Sequence, residues 1–151
     1  MLKPGGVLDL GPLGTKFIIR RTPSESGAQT FDMEWELAPH TGGTPLHLHP
    51  PATETYEILE GSLDVNINGT WRTLGQGDRR AVDPGTPHTF RNASDALTRV
   101  YNTHQPAILS IAVLMTSYED EICSVRPPHL LMRAFALVGR VLGYGRDRER
   151  R

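Results

Sequence analysis

Apolar and polar residues alternate with period two through much of the chain before Gln105, the spacing of half-buried β-strands. Gln29 to Leu37 is the clearest case: Phe31, Met33, Trp35 and Leu37 share one face, and Asp32, Glu34 and Glu36 share the other. The pattern predicts a strand with an apolar inner face and a wet, acidic outer one. Thr15 to Arg21 is a β-branched and aromatic run closed by Thr22-Pro23, and reads as an earlier strand. Glu54 to Leu59 and Ser62 to Ile67 flank Glu60-Gly61 as the arms of a hairpin. Asn68-Gly69 then turns the chain into Trp71 to Leu74. Ala81-Val82, His88 to Arg91 and Thr98 to Thr103 complete the set. Short strands joined by glycine-bearing turns predict an all-β fold, a closed barrel or a double-sheet jelly roll, in which closure removes exposed edges. After Gln105-Pro106 the pattern changes. Ala107 to Met115 is apolar without clean alternation, and periodicity alone does not separate helix from strand there. Pro127-Pro128 followed by His129 to Leu142 predicts a helix, with Leu131, Phe135, Val138 and Leu142 on one face, Arg133 and Arg140 on another, and Gly143 and Gly145 past its end.

Composition narrows this only a little. The 151 residues are enough for one domain with a real core and too few for two of ordinary size. Sixteen basic and seventeen acidic side chains leave a net charge of −1, so no electrostatic footprint for nucleic acid or an anionic membrane is predicted. The single Cys123 has no intrachain partner and fits a reducing, cytoplasmic setting. No signal peptide is legible at the N-terminus, and the longest apolar stretch, Leu130 to Leu142, carries two arginines and is too short to span a bilayer.

The chemistry sits in two blocks. The first reads His47-Leu48-His49, four residues, Glu54, six residues, Gly61; the second has Gly77, then Asp83-Pro84-Gly85-Thr86-Pro87-His88, then Asn92. Two histidines two apart on a strand point the same way, so His47 and His49 can share one ion while Leu48 packs behind them. Three imidazoles with one carboxylate suit a borderline divalent transition metal and leave coordination positions for a substrate. No phosphate-binding glycine loop and no nucleophile elbow is present, and Cys123 lacks a local nucleophile signature.

These blocks resemble the two motifs of the cupin superfamily: Gly, five residues, His-x-His, three or four residues, Glu, six residues, Gly; and Gly, five residues, Pro-x-Gly, two residues, His, three residues, Asn. Thr41 stands where the leading glycine is usual, with Gly42 and Gly43 after it, and Asp83 stands where the second motif has its first proline. The motif core spans residues 41–92. The resemblance implies a cupin double-stranded β-helix over residues 1–106, a helical extension over 107–145 packed on the barrel, and a frayed basic tail over 146–151. It implies one divalent metal (iron, manganese, nickel, copper, cobalt or zinc) held by His47, His49, Glu54 and His88, with Glu54 as ligand and second as general base. Phe31, Met33, Trp35, Tyr56, Phe90 and Tyr101 are candidates for the wall of an apolar substrate pocket, His104 for its mouth, and Arg79 or Arg80 for holding a substrate anion. Gly61, Gly77, Gly85, Pro87 and Asn92 read as structural, and Asp83 as a turn cap. The expected function is that of a metalloenzyme acting on a small apolar or aromatic molecule in the manner of a dioxygenase. The alternatives are a redox-neutral cyclase, isomerase or lyase, and a cupin that binds a metal or small molecule without turnover. Small cupins of this kind commonly pair, and the broad apolar stripe of His129 to Leu142 suggests a homodimer.

Overall fold

The computed structural model describes residues 3–27 and 29–108, and in them the alternating segments form nine strands in two sheets. They are β1 (Val7–Asp9), β2 (Thr15–Arg21), β3 (Phe31–Leu37), β4 (Thr53–Glu60), β5 (Ser62–Ile67), β6 (Thr70–Gly75), β7 (Arg79–Val82), β8 (His88–Arg91) and β9 (Thr98–Gln105), with one 3-10 turn at Gly11–Leu13. The larger sheet runs β1-β2-β3-β9-β4-β7 and the smaller β6-β5-β8, all neighbours antiparallel. The helical extension and the tail expected over 107–151 lie outside the described residues beyond 108, and with them the proposed dimer stripe. Among the described residues no helix is long and apolar enough to cross a membrane.

Alternation places the core. Phe31, Met33, Trp35 and Leu37 of β3, Tyr56 and Ile58 of β4, Val82 of β7 and Val100 of β9 face Leu63 and Val65 of β5 and Phe90 of β8, all nearly solvent-free. Aromatic rings fill the middle: Trp35 stacks on Phe90 at 4.7 Å between centroids and meets Tyr56 and Phe17 edge-on at 5.8 Å each. Such offset and edge-on contacts satisfy the ring quadrupoles while burying large areas. Glycine is required where the backbone turns left-handed, as at Gly61 (φ +74°) between β4 and β5 and Gly85 (φ +73°) before β8.

Two expectations are corrected, and one strand is added. The acidic face of β3 is not uniformly wet: Asp32 and Glu34 are 5% and 4% exposed. Arg20 of β2 and Arg99 of β9 fold over Glu34 from either side, each with a guanidinium Nε 3.0 Å from one of its carboxylate oxygens. A buried carboxylate is tolerated when it is paired in this way. His47 to His49 is not a strand but a loop attached to β8 by one antiparallel bridge, His47 to His88, with backbone N···O distances of 3.0 and 2.8 Å. Pro45, Pro50 and Pro51 withhold the amide hydrogens that a longer ladder needs. β1 was not foreseen, since three residues are too few to show a period.

Candidate metal centre

Strand register brings the donors together. Across the larger sheet, Phe31 of β3 lies opposite His104 of β9, His104 opposite Glu54 of β4, and Glu54 opposite Val82 of β7. This row faces His88, which lies opposite Ile67 in the smaller sheet and carries the His47–His49 loop on its other side. The ligating atoms of His47, His49, Glu54 and His88 all lie within 4.8 Å of one another. Glu54 Oε2 is 2.7 Å from His88 Nε2 and 3.1 Å from His49 Nε2. With metal–ligand bonds of roughly 2.1 Å, adjacent donors in an octahedral shell stand roughly 3.0 Å apart and opposite ones roughly 4.2 Å, so these two edges fit a shared ion and donor pairs near the 4.8 Å limit would draw in slightly.

The tautomers are set for ligation. His88 Nδ1 lies 2.8 Å from the Thr86 carbonyl and His47 Nδ1 lies 2.7 Å from the Pro45 carbonyl. A carbonyl only accepts, so each Nδ1 carries a hydrogen and each Nε2 faces the site; at His88 that Nε2, 2.7 Å from the acceptor-only Glu54 carboxylate, also carries a hydrogen, which a bound metal would displace. Pro87 holds Thr86 extended, so one local feature supplies both the orienting carbonyl and the aim of His88. Glu54 is fixed from behind: Asn102 Nδ2 donates to Oε1 at 2.8 Å, leaving Oε2 turned to the histidines.

Electrostatics favour ligation at three of the four donors, and at His88 the proton would have to be displaced. Burial would raise the Glu54 pKa, but His104, His49 and His88 outweigh it and hold the carboxyl well below its ordinary value. Burial lowers His47 to about 4, with the charge of Glu54 only partly opposing, so that ring is neutral at pH 7 and available as a ligand; burial also lowers His49, which favours the neutral, ligating form. At His88 burial acts downward, but the hydrogen bond and charge of Glu54 win and the pKa rises. The donor set, the carbonyl-locked tautomers and the ionised carboxylate together fit a divalent transition metal. His49, Glu54 and His88 are buried while His47 is only half-buried and Leu46 beside it is exposed, so the cluster is least covered on the His47 side among the described residues.

The expected pocket residues divide. Phe31, Met33, Trp35, Tyr56 and Phe90 all lie on the inner face beside or beneath the cluster. Tyr101 does not: it alternates outward on β9, with its hydroxyl 3.5 Å from Asp32 Oδ2 on the opposite face of the sheet. Its neighbours Asn102 and His104 point inward instead. His104 is no mouth residue but 2% exposed, with Nε2 3.6 Å from Glu54 Oε2. Asn102 was missed altogether. The signal was present, since Val100, Asn102 and His104 share one face of Thr98–Gln105, but polar residues on an inner face do not announce themselves by hydrophobic period. Arg80 and Arg72 line a cavity of about 260 Å³ with Val65, Ile67 and Leu74, at the edge between β6 and β7. Asn92 is structural, as expected, but as a strut: its amide donates to the carbonyls of Leu37, Ala38 and Ala96. Asp83 stays exposed, and its backbone carbonyl accepts from the Thr86 amide.

A family model described as a cupin domain matches residues 33–104. The chain is 30% identical over 102 residues to germin-like protein 5-1 of Oryza sativa subsp. japonica, covering 62% of this chain and 44% of that one. It is 31% identical over 88 residues to quercetin 2,3-dioxygenase of Bacillus subtilis, covering 54% and 26%. It thus spans less than half the length of either relative. An RmlC-like cupin from Shewanella frigidimarina superposes with a TM-score of 0.58 at 20% identity, over 68% of this chain and 85% of that one.

Proposed function

We propose, from the premise that the chain belongs to the cupin superfamily, that it is a metalloenzyme of dioxygenase type acting on a small apolar or aromatic molecule with an acidic hydroxyl. The observation that carries this reading is the convergence of carbonyl-locked His47 and His88 with His49 and Glu54 on a single point. Four protein donors leave room in an octahedral shell for a substrate atom. When bound, a redox-active divalent metal supplies Lewis acidity and electron exchange with dioxygen.

The protein's own part follows from its side chains. Trp35, Tyr56 and Phe90 close the barrel beneath the cluster with packed aromatic surface, which keeps water out of the interior and suits an apolar substrate face. The half-buried His47 side is left as the approach. Glu54 Oε2 lies among the donors, ionised, while Asn102 holds Oε1; its lowered pKa favours the ligand role and makes it a weak base, so it would take a proton only from a hydroxyl that is itself strongly acidic. The 31% identity to a quercetin dioxygenase supports the same reaction class.

The test is elemental analysis of protein purified without a metal-affinity tag, followed by oxygen uptake with flavonols, catechols and diketones. Stoichiometric iron, manganese, nickel, cobalt or copper with substrate-dependent uptake is expected, and the double change His47→Ala with His49→Ala should abolish both. Zinc alone with no oxygen uptake would replace this reading by a redox-neutral one. Full metal retention in the double variant would remove the site assignment.

A further inference from the structure

His104 is a buried imidazole without a hydrogen bond. Among the described residues neither Nδ1 nor Nε2 has a partner within hydrogen-bond distance, Glu54 Oε2 standing 3.6 Å from Nε2, although the side chain is 2% exposed. Leaving a buried ring N–H unpaired carries a real penalty, and native interiors seldom tolerate it unless something else binds there. The ring is not adrift. Register locks it opposite both Phe31 and Glu54, and its centroid lies 5.0 Å from that of His49 in an edge-on contact. It thus borders the four-donor cluster without being one of the four. The Tyr56 hydroxyl, also fully buried and unpartnered, lies one step further along β4 from Glu54.

We propose that His104 is a further ligand-binding residue: a ring N–H donates a hydrogen bond to an oxyanion held at the metal's open position. This rests on reading the four donors as a metal site, and it names what that site takes, a ligand whose metal-bound atom is an anionic oxygen. An imidazole suits the task because it carries at least one N–H donor in either protonation state. The other inner-face group at this level, Phe31, offers no donor, and Asn102 spends its amide hydrogen on Glu54. Apart from the Tyr56 hydroxyl further along β4, His104 holds the unspent donor at this level among the described residues.

The experiment uses the full chain loaded with Co(II), whose visible bands report both occupancy and exogenous ligands, titrated with acetate as the oxyanion. In the wild type acetate is expected to perturb the bands. His104→Phe should keep one Co(II) per chain and weaken acetate by roughly tenfold, the scale of one buried charge-assisted hydrogen bond. His104→Gln, which retains an N–H, should recover most of that loss. Acetate affinity unchanged in His104→Phe overturns the proposal while leaving the metal site intact. Loss of Co(II) from that variant also overturns it, since His104 would then be a ligand. Failure of the wild type to bind Co(II) removes the metal reading itself. Should His104→Phe not fold, ¹⁵N spectra of the Zn(II)-loaded wild type decide: the His104 N–H resonance must move on acetate addition, and a stationary resonance refutes the proposal.

Discussion

Asn102→Leu isolates the part of the site that does not touch the metal. Leucine has nearly the shape of asparagine, and in the wild type Asn102 Oδ1 has no partner among the described residues, so the change removes chiefly the 2.8 Å bond to Glu54 Oε1. A 3.4 Å contact with the Thr55 carbonyl goes with it and counts for little. Glu54 is 2% exposed and ionised, so Oε1 is left as a buried anionic acceptor without a donor. A hydrogen bond to a charged group is worth about 1.5–3 kcal/mol, which sets the expected loss of metal-free stability. The effect on metal affinity has the same ceiling. It reaches that ceiling only if the freed carboxylate leaves its ligating rotamer when no metal is present, because the bond otherwise acts equally on both states. At 1.4 kcal/mol per tenfold, affinity should fall by about 10- to 100-fold, the usual scale for removing a group that orients a ligand. Chelator competition at fixed pH measures the affinity, and urea unfolding of metal-free protein measures the stability. A variant that loses stability yet binds metal within twofold of wild type would show that Asn102 does not hold Glu54 in its ligating pose.

Glu54→Gln separates ligand from base: if Glu54 acts chiefly as base, metal stays and turnover falls by about 10²–10⁴-fold, whereas parallel loss of metal identifies the ligand role; unchanged turnover removes Glu54 from the mechanism. Gly43→Ala should cost about 1–3 kcal/mol in urea unfolding, because a Cβ there would stand 2.2 Å from the Phe90 carbonyl oxygen and 2.7 Å from its ring, forcing β8 and His88 to shift; an unchanged midpoint refutes this. Glu34 makes a pH prediction: burial acts to raise its pKa, but Arg20 and Arg99 outweigh it, so the folded value lies below the ordinary 4.5. Its contribution is therefore present above about pH 4.5 and lost as pH falls towards the folded value. Glu34→Gln should flatten the acid limb of a urea-midpoint profile, and an unaltered limb would mean the two arginines contribute nothing through that carboxylate.

Much of the barrel was legible because a strand advertises itself. Ser62–Ile67 and His88–Arg91 alternate cleanly and lie where the pattern puts them. His47, His49, Glu54 and His88 were legible for another reason: their spacing and chemical type form a motif that survives without any knowledge of the path between them. Three things were not local. Whether the acidic face of β3 is wet depended on Arg20 and Arg99, which reach Glu34 from strands 14 and 65 residues away in sequence. The loop carrying His47 looked like a strand because sequence cannot report whether a partner ladder exists beside it. Asn102 and His104 acquired their roles only when β9 settled between β3 and β4, which set them against Glu54 across 48 and 50 residues of chain. Period and motif are properties of a segment and can be read from it. Burial of a charge, and the partner of a buried polar atom, belong to pairs of segments and exist only once the sheets have closed.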